Sequence, residues 1–422
     1  MICNVFTQSI KRKYLVLAFV LVCGLTIMVS YYKPISHRYM FLPDTQVANL
    51  NFYDQNVISG FVFGKGTPMA VSCPLLLSGN KQEMLVAQSF KRTTRIPSFY
   101  YSYLAKNCSL FKSRRNYITS SLTLEEEQFP IAYSMVVYKD VEQVERLLRS
   151  IYRPQNIYCV HLDNKSEPEF RETLTEITNC FQNVFVSKES LDVRWGTMSV
   201  LEADLICMHE LWKYKSWKYF INLTGQEFPL KTNAEIVGIL KNLNGKNNIR
   251  KSVLNRWATR WEKAGKAPAG IIPVKGDLQI AVNREFVDYV LHNKTAKKFL
   301  KWCSKTKVPD ETFFVSLHYN KHLKIGGSYT DDQGNSTDPP YITRFKTWEG
   351  TAKPCHGKYV RRVCVYGVGD LPLLINRKEL FVNKLHLDFE PLALDCLEET
   401  LYNVTRNEYF QTLEGNGPPK HT

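Results

Sequence analysis

The chain has 422 residues, of which 44% are apolar and 23% are charged, with 55 Lys plus Arg against 40 Asp plus Glu. It contains no Gly/Ser, Gln/Asn or Pro tract, so the composition excludes a disordered, collagen-like or solenoid protein. The length allows one large or two ordinary globular domains.

A membrane anchor is predicted at the amino end. Residues 15–30 are apolar, and Tyr14, Tyr31 and Tyr32 extend this segment to the thickness of a bilayer. Basic residues at 11–13 precede it without any acidic residue. This pattern predicts a cytosolic tail at 1–13, an uncleaved signal anchor at 14–32 and a luminal remainder. The alternative is a cleaved signal peptide, but no small-x-small cleavage site follows promptly.

The charge balance is basic. The formal net charge is +15, or +12 (15 less 3) without the three basic residues of the tail. Such an excess suits nucleic acid, an anionic membrane or an anionic small substrate. The luminal topology argues against nucleic acid, and no run of five basic residues occurs. A phosphate-binding role and a merely solvated basic surface therefore stay open.

Nine cysteines lie beyond the anchor, at 73, 108, 159, 180, 207, 303, 355, 364 and 396. In a secretory lumen, this number predicts a disulfide framework with one thiol left over. No pair has the C-x2-C spacing of a zinc site. N-glycosylation sequons occur at Asn107, Asn164, Asn222, Asn293, Asn335 and Asn403.

In chain order, residues 33–115 are rich in turn formers and are interpreted as a luminal stem, tied down by Cys73 and Cys108. A catalytic domain is predicted over 116–422. It opens with an apolar strand at 131–138 and a helix at 141–151, for which Asp140 is the N-cap.

The strand and helix pattern then repeats. Strands are predicted at 156–162, 183–187 and 217–223, and helices at 166–179, 199–212 and from Thr232 onward. Ser166 with Glu169, and Thr232 with Glu235, have the spacing of capping boxes. The alternation predicts an α/β fold with a mostly parallel, Rossmann-type sheet and helices on both faces.

Ligands of such sheets bind beyond the carboxyl ends of the strands. This places attention on residues 136–138 and 161–165, where Asp163 is suited to a ribose or base, or simply to an Asx turn. No G-x-G-x-x-G or P-loop motif is present, and no Asp-x-Asp is available to hold a divalent ion at a diphosphate. A bound diphosphate would therefore need cations of the protein.

From about Cys108 to Cys396, the chain resembles the core-2/I-branching β-1,6-N-acetylglucosaminyltransferases. The resemblance rests on eight segments in the family's order: Phe129-Pro-Ile-Ala-Tyr133, Leu147-Leu-Arg-Ser-Ile-Tyr-Arg-Pro-Gln-Asn156, Tyr158-Cys-Val-His-Leu-Asp163, Phe228-Pro-Leu-Lys-Thr-Asn233, Pro309-Asp-Glu311, Arg362-Val-Cys-Val-Tyr-Gly367, Gly369-Asp-Leu371 and Phe381-Val-Asn-Lys384. It implies a Golgi type II membrane enzyme with a GT-A fold that transfers GlcNAc, with inversion, from UDP-GlcNAc to a 6-hydroxyl of Gal or GalNAc in O-glycans.

The resemblance also implies site residues. Glu311 would be the general base, and Arg361 with Lys384 would hold the diphosphate without a metal or other cofactor. The uridine and ribose would lie at Val136, Val137, Tyr138, Asp163, Asn164 and Lys165, with Trp195 nearby. The implied disulfides pair Cys73 with Cys396, Cys108 with Cys180, Cys159 with Cys207 and Cys355 with Cys364, and leave Cys303 as the odd thiol.

Several acceptor-side positions depart from the family pattern. The family's Cys-Gly-x-Asp-Phe-Pro is Thr224-Gly225-Gln226-Glu227-Phe228-Pro229 here, and its Gly-Ser-Ala-Tyr is Gly276-Asp277-Leu278-Gln279. Arg250 aligns with an acid that contacts the acceptor, so Arg250 and Glu311 are the predicted acceptor-side residues. The implied partners are UDP-GlcNAc, O-glycans on glycoproteins, the membrane through the anchor and optionally a second copy in a homodimer.

Two other functions compete with this one. A peptide O-xylosyltransferase would use UDP-xylose, although such chains are usually much longer. A membrane-anchored glycan-binding protein without activity would have no need of Glu311, Arg361 and Lys384 together.

Overall fold

The computed structural model describes residues 71–89, 96–252, 258–329 and 340–413. The predicted tail and anchor, and most of the predicted stem, lie outside these ranges. Within them, no helix has the length and apolar character needed to span a bilayer.

The strands are β1 (Ile131–Val137), β2 (Ile157–Leu162), β3 (Val184–Val186), β4 (Tyr219–Thr224), β5 (Glu227–Pro229), β6 (Asn248–Lys251), β7 (Gly276–Asn283), β8 (Arg344–Phe345), β9 (Lys358–Val360), β10 (Val363–Val365) and β11 (Phe381–Asn383). The four predicted strands form as β1 to β4, within one or two residues of their predicted ends. The central sheet has the order β3-β2-β1-β4-β7-β6. Strands β1 to β4 are parallel, and β7 runs antiparallel to both β4 and β6. The predicted mostly parallel sheet is confirmed.

The helices are α1 (Cys73–Leu77), α2 (Lys81–Ser89), α3 (Ser98–Ala105), α4 (Cys108–Arg114), α5 (Leu124–Gln128), α6 (Val141–Ile151), α7 (Pro168–Asn179), α8 (Met198–Leu211), α9 (Asn233–Asn242), α10 (Arg284–His292), α11 (Lys294–Cys303), α12 (Phe313–Tyr319), α13 (Leu371–Leu374) and α14 (Pro391–Leu413). Alternate residues of β1 enter different core clusters. Ile131 and Tyr133 pack with α6, α7 and α9, whereas Ala132 packs with α8, α10 and α11. Helices on both faces are thereby confirmed.

Two of the three predicted N-terminal helix caps are confirmed. The Asp140 side chain accepts from the Gln143 amide at 3.3 Å, and Thr232 with Glu235 forms a capping box. The box at Ser166 and Glu169 is wrong, because α7 begins at Pro168 after Glu167, which makes no side-chain cap. Proline suits the first helical position, since its fixed φ is helical and it has no N–H there to satisfy.

The part of the predicted stem that is described packs into the body. Tyr101, Leu104 and Phe111, from α3 and α4, are buried in the cluster that contains β1. Cys73 and Leu76 of α1 are buried with α14. The boundary at 115/116 stays a prediction.

The structure contains four disulfides, Cys73–Cys396, Cys108–Cys180, Cys159–Cys207 and Cys355–Cys364. These are the pairs that the resemblance implies. Cys303 is a buried free thiol, and burial raises its pKa.

Candidate active site

The ends of β1 and β2 form one side of the site. Val136 lies opposite His161 and Val137 opposite Leu162, so the two strands end at the same edge. The Asp163 amide donates to the Val137 carbonyl at 2.9 Å, which extends this edge by one residue. The predicted nucleotide residues 136–138 and 163–165 are therefore brought together.

Asp163 is held in a fixed orientation. Its buried carboxylate accepts from the amides of Lys165 at 3.0 Å and Val193 at 3.3 Å, and it pairs with the Lys165 ammonium. The first of these bonds is an Asx turn, the structural alternative for this position. A carboxylate fixed in this way is also suited to accept hydrogen bonds from a ribose or a base.

Exposed aromatic rings lie beside these residues, whereas Val137 does not face solvent. Tyr138 is 43% exposed and Trp195 is 74% exposed, and exposed rings offer a stacking surface for a base. The Lys165 ammonium lies 5.3 Å from the centre of the Tyr138 ring. Val137 is buried, and its side chain fills the space beside Gly225. Only its backbone is therefore available to a nucleotide.

A group of cations adjoins the end of β1. β11 pairs with β5, and the Leu385 amide donates to the Gln226 carbonyl at 2.9 Å, so Lys384 lies close to the end of β4. Burial, followed by the nearby charges of Arg361 and Lys139, lowers the pKa of Lys384. The sequence did not single out Lys139, although its place directly after Tyr138 at a strand end was a usable signal.

Arg361 is presented by a two-residue hairpin turn. β9 and β10 pair with Val360 opposite Val363, and the Cys355–Cys364 disulfide closes the segment. Arg361 and Arg362 have φ values of 52° and 66°, the left-handed conformation of a type I′ turn, which usually takes Asn or Gly. Two arginines in such a turn are unfavourable for the backbone, which is typical of a functional position.

Glu311 lies in the 3₁₀ turn Pro309–Glu311. Its Oε2 atom accepts from the Arg260 guanidinium at 2.5 Å and lies 3.6 Å from the Lys275 ammonium. The turn directly precedes α12, so the Glu311 carboxylate lies two residues before the first residue of that helix. No sequence signal pointed to Arg260 or Lys275.

Two buried carboxyl groups lie in or near the Glu311 turn. Asp204 accepts from the Ser134 hydroxyl at 2.7 Å and from the Asn222 side chain at 2.8 Å, and burial raises its pKa to about 6. Asp310 is also buried, and burial, together with the neighbouring charge of Glu311, raises its pKa to about 7.

A loop joins the nucleotide side to Glu311. Val193 is bonded to Asp163, and three residues later the Gly196 carbonyl accepts from the Val308 amide at 3.1 Å. Trp195 lies between these two contacts. The loop therefore connects the predicted uridine residues to the turn that carries the predicted base.

The predicted acceptor-side residue Arg250 is 43% exposed. Its guanidinium lies 3.7 Å from Asp277 Oδ2, and the Lys346 ammonium lies 3.1 Å from the same atom. Asp277 therefore supplies a carboxylate next to the position where the family's acid is replaced by Arg250.

The described residues contain no group of three His, Cys, Asp or Glu side chains that could hold a metal ion. Asp388 and Glu390 are two carboxylates separated by one residue, the spacing nearest to an Asp-x-Asp motif. Glu390 accepts a hydrogen bond from the Val368 amide at 2.7 Å, so it caps a loop. Asp388 is 57% exposed and lies 3.7 Å from His386.

Comparison with known proteins identifies the family. The profile of the core-2/I-branching enzymes matches residues 131–374. A human β-1,3-galactosyl-O-glycosyl-glycoprotein β-1,6-N-acetylglucosaminyltransferase is 35% identical over 83% of this chain and 88% of its own length. A second human enzyme of that name, numbered 3, is 33% identical over 83% of this chain and 86% of its own. The chain belongs to the core-2/I-branching enzyme family.

This membership confirms the prediction of a glycosyltransferase of the β-1,6-N-acetylglucosaminyltransferase family. Among solved structures, mouse xyloside xylosyltransferase 1 in its apo form overlaps 45% of this chain and 82% of its own at 10% identity, with a TM-score of 0.26. This TM-score is too low to indicate a shared fold.

Proposed function

We propose that this core-2/I-branching enzyme transfers GlcNAc from UDP-GlcNAc to the 6-hydroxyl of a Gal or GalNAc residue of an O-glycan, with inversion and without a divalent metal ion. The curated relatives act on β-1,3-galactosyl O-glycans by name. UDP-GlcNAc, a luminal catalytic domain and a Golgi type II anchor belong to the same proposal. The four disulfides support an oxidising compartment.

The observation that carries this proposal is the group of three cations at the end of β1, formed by Lys139, Arg361 and Lys384. Burial, followed by repulsion from the charges of Arg361 and Lys139, lowers the pKa of Lys384. A diphosphate bound there would relieve that repulsion, and an Arg fork with Lys point charges is suited to phosphate oxygens. The same cations would stabilise the charge that gathers on departing UDP.

Glu311 would take the proton of the acceptor hydroxyl as that oxygen attacks the anomeric carbon. Its Oε2 atom is engaged by Arg260 and Lys275, and among the described residues no donor reaches Oε1. Oε1 would therefore be the basic oxygen. One such carboxylate is sufficient for inversion by direct displacement.

The first experiment is a donor panel. The full chain is assayed with UDP-GlcNAc, UDP-xylose and other UDP-sugars on Gal- and GalNAc-terminated acceptors, with Mn²⁺ or with excess EDTA. We expect transfer from UDP-GlcNAc that EDTA leaves unchanged. Transfer from UDP-xylose alone would favour a peptide O-xylosyltransferase, and glycan binding without any transfer would favour a binding protein. Loss in EDTA with recovery in Mn²⁺ would contradict the role of the cations.

The second experiment compares variants of Arg361 and Lys384 with a control variant of Arg362, the other arginine of the hairpin turn. Arg361→Ala and Lys384→Ala should each weaken UDP-GlcNAc binding about tenfold or more, because each removes a charge-assisted contact. Arg362→Ala removes the neighbouring arginine, which is 74% exposed and lies 3.5 Å from Glu349. It should change the Kd by less than about twofold. Equal effects of the two arginine variants would contradict the assignment of Arg361.

A further inference from the structure

The edge strand β6 and its neighbour β7 carry a basic group that includes none of the predicted donor residues. Gly276 allows them to approach closely at this point, because a Cβ atom there would lie 2.2 Å from the Arg250 carbonyl oxygen. The approach brings Arg250 beside Asp277, whose carboxylate already has Lys346 at 3.1 Å. Two cations therefore share one buried carboxylate oxygen.

More positive charge surrounds this pair. Lys353 and Arg377 lie 5.0 Å and 4.3 Å from the centre of the ring of Phe345, which directly precedes Lys346. Burial, followed by the charge of Arg377, lowers the pKa of Lys353.

The charges in this group do not cancel. Among the described residues, the cations Arg250, Lys346, Lys353 and Arg377 face only two carboxylates, those of Asp277 and Glu379. The difference, four less two, is a net charge of +2. Neutralising Asp277 alone would require one lysine, so the additional cations call for another explanation.

The position of Arg250 in β6 separates it from the predicted uridine residues. β6 lies four places from β2 in the sheet, which is about 19 Å at the usual strand spacing, whereas the predicted nucleotide residues follow β1 and β2. The predicted base is closer to it. Lys275 directly precedes β7, and its ammonium lies 3.6 Å from Glu311 Oε2. The basic group thus lies on the acceptor side of Glu311.

We propose that the acceptor glycan of this enzyme carries an anionic substituent, a sulfate ester or a carboxylate, which Arg250 and Lys353 bind beside the sugar that receives GlcNAc. The proposal rests on the proposed transferase function. The Arg250 guanidinium is partly exposed and lies 5.7 Å from the centre of the Tyr341 ring, so its planar fork is supported and accessible. Such a fork matches two oxygens of a carboxylate or sulfate.

The test compares acceptors that differ only in charge. Galβ1,3GalNAc and Galβ1,4GlcNAc are each offered to the full chain in neutral, 3-O-sulfated and α2,3-sialylated form on the galactose. We expect kcat/KM for at least one anionic form to exceed that of its neutral parent about tenfold, and this advantage to shrink as salt screens the charges. The sulfated and sialylated arms identify which anion is used.

Binding is measured separately by calorimetry in the presence of UDP, so the answer does not depend on transfer. Tighter binding of an anionic form without transfer would uphold the charge preference and contradict the proposed function. Transfer to neutral acceptors with no preference in rate or binding would leave the function standing and overturn the anionic acceptor. Equal or weaker binding of every anionic form overturns it whether or not transfer occurs.

A charge-matched pair of variants locates the contact. Arg250→Gln should reduce the preference for the anionic acceptor at least fivefold, and Arg250→Lys should restore part of it. Lys251→Gln removes the adjacent cation, which instead lies 5.3 Å from the centre of the Tyr319 ring, and should retain the preference. Thermal unfolding of each variant checks that the fold is intact. Loss of the preference in Lys251→Gln to the same extent as in Arg250→Gln would contradict a specific site.

Discussion

Glu311 is held by residues from a different part of the chain. Arg260 lies 51 positions earlier in sequence, and its guanidinium is 2.5 Å from Oε2 of the carboxylate. Because Arg260 holds one oxygen of the carboxylate, the other oxygen has a defined direction. This favours proton transfer from a bound hydroxyl.

Replacement of Glu311 by Gln is the most direct test of this role. The amide keeps the shape of the side chain but removes the basic oxygen, so kcat should fall by about 10² to 10⁴ while UDP-GlcNAc affinity changes little. Steady-state kinetics and donor binding measure the two effects. Glu262→Gln, an exposed carboxylate in the same region, is the matched control and should behave as the wild type. A Glu311→Gln enzyme that keeps most of its kcat would make Glu311 structural.

Asp310 predicts a pH dependence of stability. Burial, followed by the charge of Glu311, raises its pKa to about 7, so the folded carboxyl binds a proton that the unfolded one releases. The free energy of unfolding that it contributes therefore falls as the pH rises from about 4 to about 7. Relative to Asp310→Asn, the wild type should lose about 2 to 4 kcal/mol across this window.

Urea unfolding at several pH values measures this difference, and the comparison with Asp310→Asn removes the contributions of other titrating groups. Glu127→Gln, an exposed carboxylate, serves as the control and should show no such difference. A constant difference between the wild type and Asp310→Asn from pH 4 to 7 would mean that Asp310 titrates normally.

At the scale of elements, two disulfides are expected to contribute differently to stability and to donor binding. Cys73–Cys396 joins α1 to α14 across 323 residues, whereas Cys355–Cys364 closes 9 residues around the turn that presents Arg361. Because the entropy lost by the unfolded chain grows with loop length, the long bridge should contribute more stability, by about 3 kcal/mol.

The paired variants should therefore separate stability from donor binding. Cys73→Ser with Cys396→Ser should lower the free energy of unfolding by about 2 to 5 kcal/mol with little change in UDP-GlcNAc affinity. Cys355→Ser with Cys364→Ser should lose less stability but weaken donor binding, since the Arg361 turn loses its closure. Denaturation and donor titration of both variants test this, and the reverse order of effects would contradict it.

At the scale of the whole molecule, the segment before residue 116 helps to form the core. Tyr101, Leu104 and Phe111 are each no more than 5% exposed, and burial of such side chains contributes about 1.5 to 3 kcal/mol each. Cys108 also bonds to Cys180. A secreted chain that begins at residue 71 should fold and remain active, whereas one that begins at residue 116 should aggregate or be retained in the cell. Secretion yield and activity of the two chains test this, and an active enzyme that begins at residue 116 would restore the predicted boundary.

The sequence by itself determined the strands β1 to β4, the helices α6 to α9 and their order. The apolar runs that begin at Ile131 and Ile157, and the caps at Asp140 and Thr232, are local signals, because hydrogen bonds and side-chain alternation within a few residues produce them. The cap at Ser166 failed because Pro168 offered a competing start two residues later.

Only the tertiary structure decided which charges meet. Lys139 and Lys384 are 245 positions apart (384 less 139), and the sheet pairing of β11 with β5 brings Lys384 to the end of β4, beside β1. Arg260 and Lys275 reach Glu311, and Arg250 reaches Asp277, in the same way. Electrostatic interactions depend on distance and burial in space, and neither is a property of neighbouring sequence positions.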